Sequence, residues 1–280
     1  MFVSARGMAA ALALAIAMLL ASGCATLVSD QQEIELGAQY RQQMAKEVAL
    51  DRDPGNLNYV NALGQSLVRA APAQRPGMQF TFDIVQDKNL NAFAIPGGHV
   101  YVNSGTIKAA SNESELAAVI AHEIGHVVGM HHKETMGREL GLNMVNELIL
   151  GATGQSANGA GAAAAAPQSV GAQSAVLLTQ VVEKGVLLKF SRDQEYQADD
   201  LAVPTLIRAG YDPNGLVTFF DKLMAQGGGG GGGKVFEMFS THPLTQERIQ
   251  RARATIAQYP RVPNAKTDSP AFQAFKARVF

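Results

Sequence analysis

Residues 113–130 read ESELAAVIAHEIGHVVGM, and the spacing inside this stretch bears on both the fold class and the chemistry. His122 and His126 are four apart, so on a helix one imidazole lies above the other and both can grip a single ion. Glu123, one step round, sits beside that ion without binding it. Two imidazoles and an adjacent carboxylate are the parts of a zinc hydrolase that activates water. Leu116, Val119, Ile120, Ile124, Val127 and Val128 spread round most of the circumference, which predicts a helix buried on most sides. Asn112, with Glu115 three residues on, predicts a capping box at its start. Buried His and Glu are costly unless paired or metal-bound. The competing reading is a His–Glu cluster satisfied by hydrogen bonds alone.

Outward from this helix, the upstream chain reads as helices, then strands. Residues 29–50 form an exposed amphipathic helix with Ile34, Ala38, Met44 and Val48 on one side. A turn at 51–55 leads to a second helix, carrying Leu57, Val60, Leu63, Leu67 and Val68, that ends near Ala71 and Pro72. Phe80, Phe82 and Ile84 alternate with polar residues in a strand over 79–85. Residues 91–95 and 99–103 flank Pro96-Gly97-Gly98, a turn signal between two short strands. The strand at 99–103 would be an edge able to hold an extended peptide by main-chain pairing, or ordinary core sheet.

Downstream, helices are predicted at 134–150 and 174–189. They flank 148–182, which carries no charge and reads as a low-complexity insertion, either a flexible loop or a surface touching lipid or a partner. Ser191 and Gln194 cap a helix over 191–209, kinked at Pro204 and stopped by Gly210 and Asp212-Pro213. A helix at 214–225, seven glycines at 227–233 as a flexible linker, and a charged helix to about residue 258 follow. A Pro-rich tail, 259–280, holds a short helix from Ser269-Pro270. The fold class is α+β, mainly helical, with a small mixed sheet beside the H-E-x-x-H helix.

The first residues are not part of that fold. Arg6 is the only charge before Asp30, and Met8 to Ala21 is an apolar run too short for a comfortable membrane span. Leu20-Ala21-Ser22-Gly23-Cys24 ends a signal peptide of residues 1–23 and resembles a bacterial lipobox, with Ala21 where Leu is commoner. Cys24 would carry the lipid; an ordinary secretory signal cut nearby is the alternative. Cys24 is the only cysteine, so no intramolecular disulfide is available. Ala25, not Asp, follows it, as in lipoproteins destined for the outer membrane. The anchor would attach the protein to a membrane without spanning it. A net charge of −1 and the lack of a basic cluster argue against nucleic acid as a partner.

A catalytic zinc takes three protein ligands. The best third candidate is Glu195, with Asp199 four residues on and so on the same helix face. Asp199 could then orient a ligand His. Alone, the E-x-x-x-D pair is a weak signal. Four blocks in order, Asn91-Ala92-Phe93-Ala94-Ile95-Pro96-Gly97-Gly98, HEIGH, EYQAD, and His242-Pro243 with Arg248, make the chain specific. It resembles the zinc metallopeptidase family that includes HtpX, the CAAX prenyl proteases and the BepA and LoiP type of periplasmic peptidase. The resemblance covers roughly residues 30 to 255 and, with the lipobox, is nearest to the LoiP-like lipoproteins. It implies a zincin-type domain over 24–258 holding one Zn2+ per chain. It implies His122, His126 and Glu195 as zinc ligands, Glu123 as catalytic base and Asp199 as their support. It also implies His242 and Arg248 as a late pair near the reacting carbonyl. The insertion at 148–182 and the heptaglycine just before His242 depart from the family pattern.

The expected function is zinc-dependent endoproteolysis in the bacterial periplasm, on unfolded or misassembled envelope proteins. The alternatives are an outer-membrane assembly factor with minor proteolysis, and a structural zinc site with a fourth protein ligand. His242 has two candidate roles, stabilising the oxyanion or swinging in as a fourth ligand that closes the site. His131 and His132, after the zinc helix, read as surface or capping residues. The oligomeric state is not encoded legibly.

Overall fold

The protein is described from a computed structural model, which describes residues 28–141, 189–227 and 242–279. The signal peptide with Cys24, the insertion at 148–182, the helix expected at 174–189 and all but the first residue of the heptaglycine lie outside the described residues. The chain divides into two units, Met1–Leu36 with Lys133–Val186, and Gly37–His132 with Leu187–Phe280. In the first, Lys133 Nζ pairs with Asp30 at 2.7 Å, and Met136 and Leu140 are buried. All that follows on sheet, core and site concerns the second.

Helix α1 spans Asp30–Glu47 and α2 spans Pro54–Ala70. Pro54 sits at the start of α2, where its missing N–H costs nothing, and the Asp53 carboxylate caps the Asn56 N–H. The buried side of α1 is Glu33, Leu36, Tyr40 and Met44; Ala38 is exposed. The expected face through Ile34 and Ala38 is therefore rotated. A buried carboxylate inside the apolar stripe hides its period.

The sheet is mixed and three-stranded: β1 (Thr81–Val85), β2 (Ala92–Ile95) and β3 (His99–Asn103), in spatial order β1-β3-β2. β3 runs parallel to β1 and antiparallel to β2. The hairpin turn is the expected Pro96-Gly97-Gly98, whose two glycines adopt φ +85°. β3 is thus central and already paired on both sides, so it is not the edge strand. The edges are β1 and β2. Ala94 turns its N–H to Glu123 Oε2 (3.0 Å) and its carbonyl to His132 Nε2 (2.9 Å), away from β3.

A short helix α3 (Ser104–Ala109) leads to α4 (Glu113–Val128), the helix of the opening stretch. Every residue of α4 is buried, because α2, α5, α6 and the sheet all pack on it. Here α5 is Arg192–Arg208, α6 is Asn214–Gly227, α7 is Gln246–Ala257 and α8 is Pro270–Arg278. Asn112 caps α4 through the Glu115 N–H, while the Glu115 carboxylate reaches back one residue further than expected, to the Ser111 N–H. The capping box of Ser191 and Gln194 on α5 is present in full, and Pro204 lies inside that helix.

Residues 259–279 are not a tail. Phe272 and Phe275 are fully buried, Phe275 stacks on Tyr59 of α2 at 4.3 Å, and Val279 closes the core. The segment before α8 also secures the start of α4. Thr267 O accepts from the Ser114 N–H, and Glu113 accepts from Tyr211 (2.9 Å), Lys266 (2.6 Å) and Ser269. Two aromatic rings three apart are enough to draw a polar, Pro-rich end into the core. Burial raises the Glu113 pKa, but these donors outweigh it and the net shift is downward from 4.5. Its contribution is therefore complete above that unfolded value and is lost as pH falls through the lower folded one. Glu113→Gln should lose about 1–3 kcal/mol at pH 7 in denaturant titrations. The gap to wild type should shrink progressively below pH 4.5.

Candidate metal centre

Helices α4 and α5 cross at Gly125 and Ala198. A Cβ on Gly125 would lie 2.8 Å from the Ala198 carbonyl oxygen and 3.1 Å from its Cα. The same offsets recur on both helices about this point. His122 and His126 stand three before and one after Gly125; Glu195 and Asp199 stand three before and one after Ala198. The crossing therefore brings two imidazoles face to face with two carboxylates.

His122 Nε2 and His126 Nε2 converge to 3.1 Å, and each lies 3.5 Å from an oxygen of Glu195. A tetrahedral ion with bonds of ~2.0–2.1 Å holds its ligand atoms ~3.3–3.4 Å apart, so the spacing fits a metal. His242, in the chain ahead of α7, joins the group with Nδ1 3.1 Å from Glu195 Oε1. Ligand atoms of His122, His126, Glu195 and His242, all buried, lie within 4.8 Å of one another.

Each imidazole is held from behind. His122 Nδ1 is 2.9 Å from Asp199 Oδ1, and His126 Nδ1 is 2.9 Å from His131 Nδ1. Arg248, almost completely buried, gives Nε and Nη2 to Asp199 at 2.8 Å each and Nη1 to Glu195 at 2.6 Å. Its Nη1 also reaches the Pro243 carbonyl. Its guanidinium is thus spent on the carboxylates of the centre. Glu123, one residue from His122, is fully buried; Ala94 N–H holds Oε2, and Oε1 has no hydrogen-bond partner among the described residues. His242 Nε2 is 3.6 Å from that oxygen.

The electrostatics ask for positive charge. Glu123, Glu195 and Asp199 are three buried carboxylates facing one guanidinium, and burial of unpaired charge is expensive. Burial pulls His122 down, yet Asp199 and Glu195 prevail and raise it to about 9. His126 falls well below its ordinary value through burial and the neighbouring His122 charge. Burial pushes Glu195 and Asp199 up, but His242 and His122 reverse this for the first, and Arg248 for the second. Glu123 remains raised, chiefly by burial.

His131 and His132 correct the surface reading. Both are buried, His132 on the Ala94 carbonyl and His131 behind His126. Phe190 also escaped the sequence, and stacks on the His126 ring at 3.9 Å. The available signal was the adjacent pair His131-His132 five and six residues past His126, an offset off the helix face and so discounted.

The comparisons agree with this geometry. Residues 54–256 match Peptidase family M48. The chain belongs to that family. The buried His/Glu cluster lies within the matched residues and is where a metal could sit. It is 33% identical to Metalloprotease LoiP of Escherichia coli (strain K12) over 226 residues, 81% of each chain. It is 32% identical to the Beta-barrel assembly-enhancing protease of the same strain over 229 residues, 81% of this chain and 44% of that protein. The Mitochondrial metalloendopeptidase OMA1 of Schizosaccharomyces pombe is 31% identical over 174 residues, 62% of this chain and 46% of that one. The chain spans about half the length of the beta-barrel assembly-enhancing proteases it matches. No described helix is long and apolar enough to cross a membrane.

Because the centre depends on the helix crossing, Gly125→Ala should cost about 1–3 kcal/mol in thermal or denaturant unfolding. It should also weaken metal retention on dialysis, since α5 must shift to clear the added methyl.

Proposed function

We propose that the chain is a zinc-dependent endopeptidase of the bacterial envelope, with His122, His126 and Glu195 as the metal ligands. The observation that carries this is the convergence of those three side chains at 3.1–3.5 Å, with Glu123 alongside. One Zn2+ bound there would supply a Lewis acid for the scissile carbonyl and the attacking water. Glu123 is the base. Ala94 fixes one of its oxygens, the other is left for the water, and burial strengthens its hold on a proton. It then hands that proton to the leaving amine. Asp199 orients His122, and Arg248 holds both Asp199 and Glu195 in place. Arg248 is assigned this positioning role in preference to one at the reacting carbonyl.

His242 is assigned to a resting state in which it closes the centre as a fourth ligand. Its burial and its 3.1 Å approach to Glu195 favour this over a place at the oxyanion. The lipobox-like stretch at Cys24 supports a lipid tether in the periplasm, at the outer membrane, and the name of the beta-barrel assembly-enhancing protease supports envelope proteins as substrates. An assembly factor with minor proteolysis is the alternative.

Glu123→Gln should keep zinc, measured by metal analysis of the purified chain, and lose 10²–10⁴-fold in cleavage of an unfolded outer-membrane protein. Undiminished cleavage would refute the enzymatic assignment; lost cleavage with full rescue of a deletion strain would favour the assembly factor. His242→Ala should raise the initial rate if the residue closes the site. A large fall in kcat with unchanged zinc content would return it to the oxyanion.

A further inference from the structure

We infer that His131 and Gln197 form an uncharged relay that sets the tautomer of His126, and so decides which of its nitrogens is offered to the metal. The inference rests on the assignment of His126 as a ligand. His126 Nδ1 lies 2.9 Å from His131 Nδ1, and His131 Nε2 lies 2.8 Å from Gln197 Oε1. Both are ordinary hydrogen-bond lengths. An amide oxygen only accepts, so the His131 proton resides on Nε2. With that single proton the ring keeps a lone pair at Nδ1, and His126 donates its own Nδ1–H to it. That leaves the lone pair of His126 on Nε2, the atom that meets His122 and Glu195. With the Gln197 amide turned round, the order would reverse and put a proton on Nε2, which would close that nitrogen to a metal.

The two ligand imidazoles are thus oriented by different chemistry. His122 is backed by the Asp199 carboxylate, itself neutralised by Arg248. A carboxylate in the place of His131 would be a fourth buried anion in a centre that already holds three. A neutral imidazole orients the ligand without adding charge.

The backbone is shaped to deliver His131. Five residues on along a continuous helix would carry it about 140° round from His126. Instead α4 ends after Val128, and Met130, exposed, takes the left-handed conformation at φ +61°. Past that turn the His131 ring lies against His126 on the last turn of α4. Gly129 leaves the room: a Cβ there would stand 2.7 Å from His131 Nε2. Gln197 is solvent-exposed at the outer end of the relay, where water can substitute for it, so His131 is the essential member.

The test compares His131→Leu with His131→Asn in the full chain. Asn carries an acceptor oxygen close to where the imidazole has Nδ1; Leu carries none. Zinc affinity is read by competition with a chelating dye, and folding of each metal-free variant by circular dichroism and thermal melting. The Leu variant should bind Zn2+ about 10–100-fold more weakly, and the Asn variant should recover most of that loss. Wild-type affinity in the Leu variant, or an Asn variant as weak as Leu, would overturn the relay. A wild-type chain without zinc affinity would instead remove the metal centre itself, and the relay with it.

Discussion

The contact on which the rest depends is the crossing of α4 and α5 without side chains between them. Gly125 faces the Ala198 backbone, and the polar residues of both helices are placed by their distance from that point. A ligand set tolerates errors of a few tenths of an ångström, and side chains of ordinary size would hold helix axes 8–10 Å apart with far more play. The glycine in the middle of the motif is therefore a distance setting. It makes two unconnected stretches of sequence, one rich in apolar residues and one in charge, into a single centre.

Around that crossing, each buried ionisable side chain has at least one polar partner, though Glu123 Oε1 and His132 Nδ1 have none among the described residues. Asp199 has Arg248 and His122; Glu195 has Arg248 and His242; Ala94 has Glu123 on one side and His132 on the other. Such a network is costly when incomplete and specifying when complete. It also ties β2 to α4 through hydrogen bonds instead of apolar packing alone. β2 and Glu123 are thereby held in one frame.

Much of this was legible in advance. The periodicity of 113–130, the cap at Asn112, the turn at Pro96-Gly97-Gly98 and the capping box at Ser191 are local, and local rules read them correctly. What failed was non-local. The order of three short strands depends on which pairs form, so spacing left β3 open between edge and core strand, and it is central. The face of α1 was obscured by Glu33, a carboxylate inside an apolar stripe. His131 lies past a left-handed residue, where helical offsets no longer apply. In the last segment the short helix was legible but its burial was not, because the ring that Phe275 stacks on lies more than two hundred residues away, at Tyr59. Arg248 was picked out only by family likeness, and its position against Asp199 could not have been found from spacing.

The strap from Lys266 to Ser269 has a bearing on how the protein is made. Glu113, the first residue of the helix that bears both imidazoles, bonds to Ser269, 156 residues further on. During synthesis the H-E-x-x-H helix emerges long before the groups that anchor its start. A chain still on the ribosome short of residue 269 lacks that anchor, and lacks the two phenylalanines that complete the core. The late segment thus acts as a clasp: the first residue of the H-E-x-x-H helix gains its Lys266 and Ser269 partners only when nearly the whole chain is present.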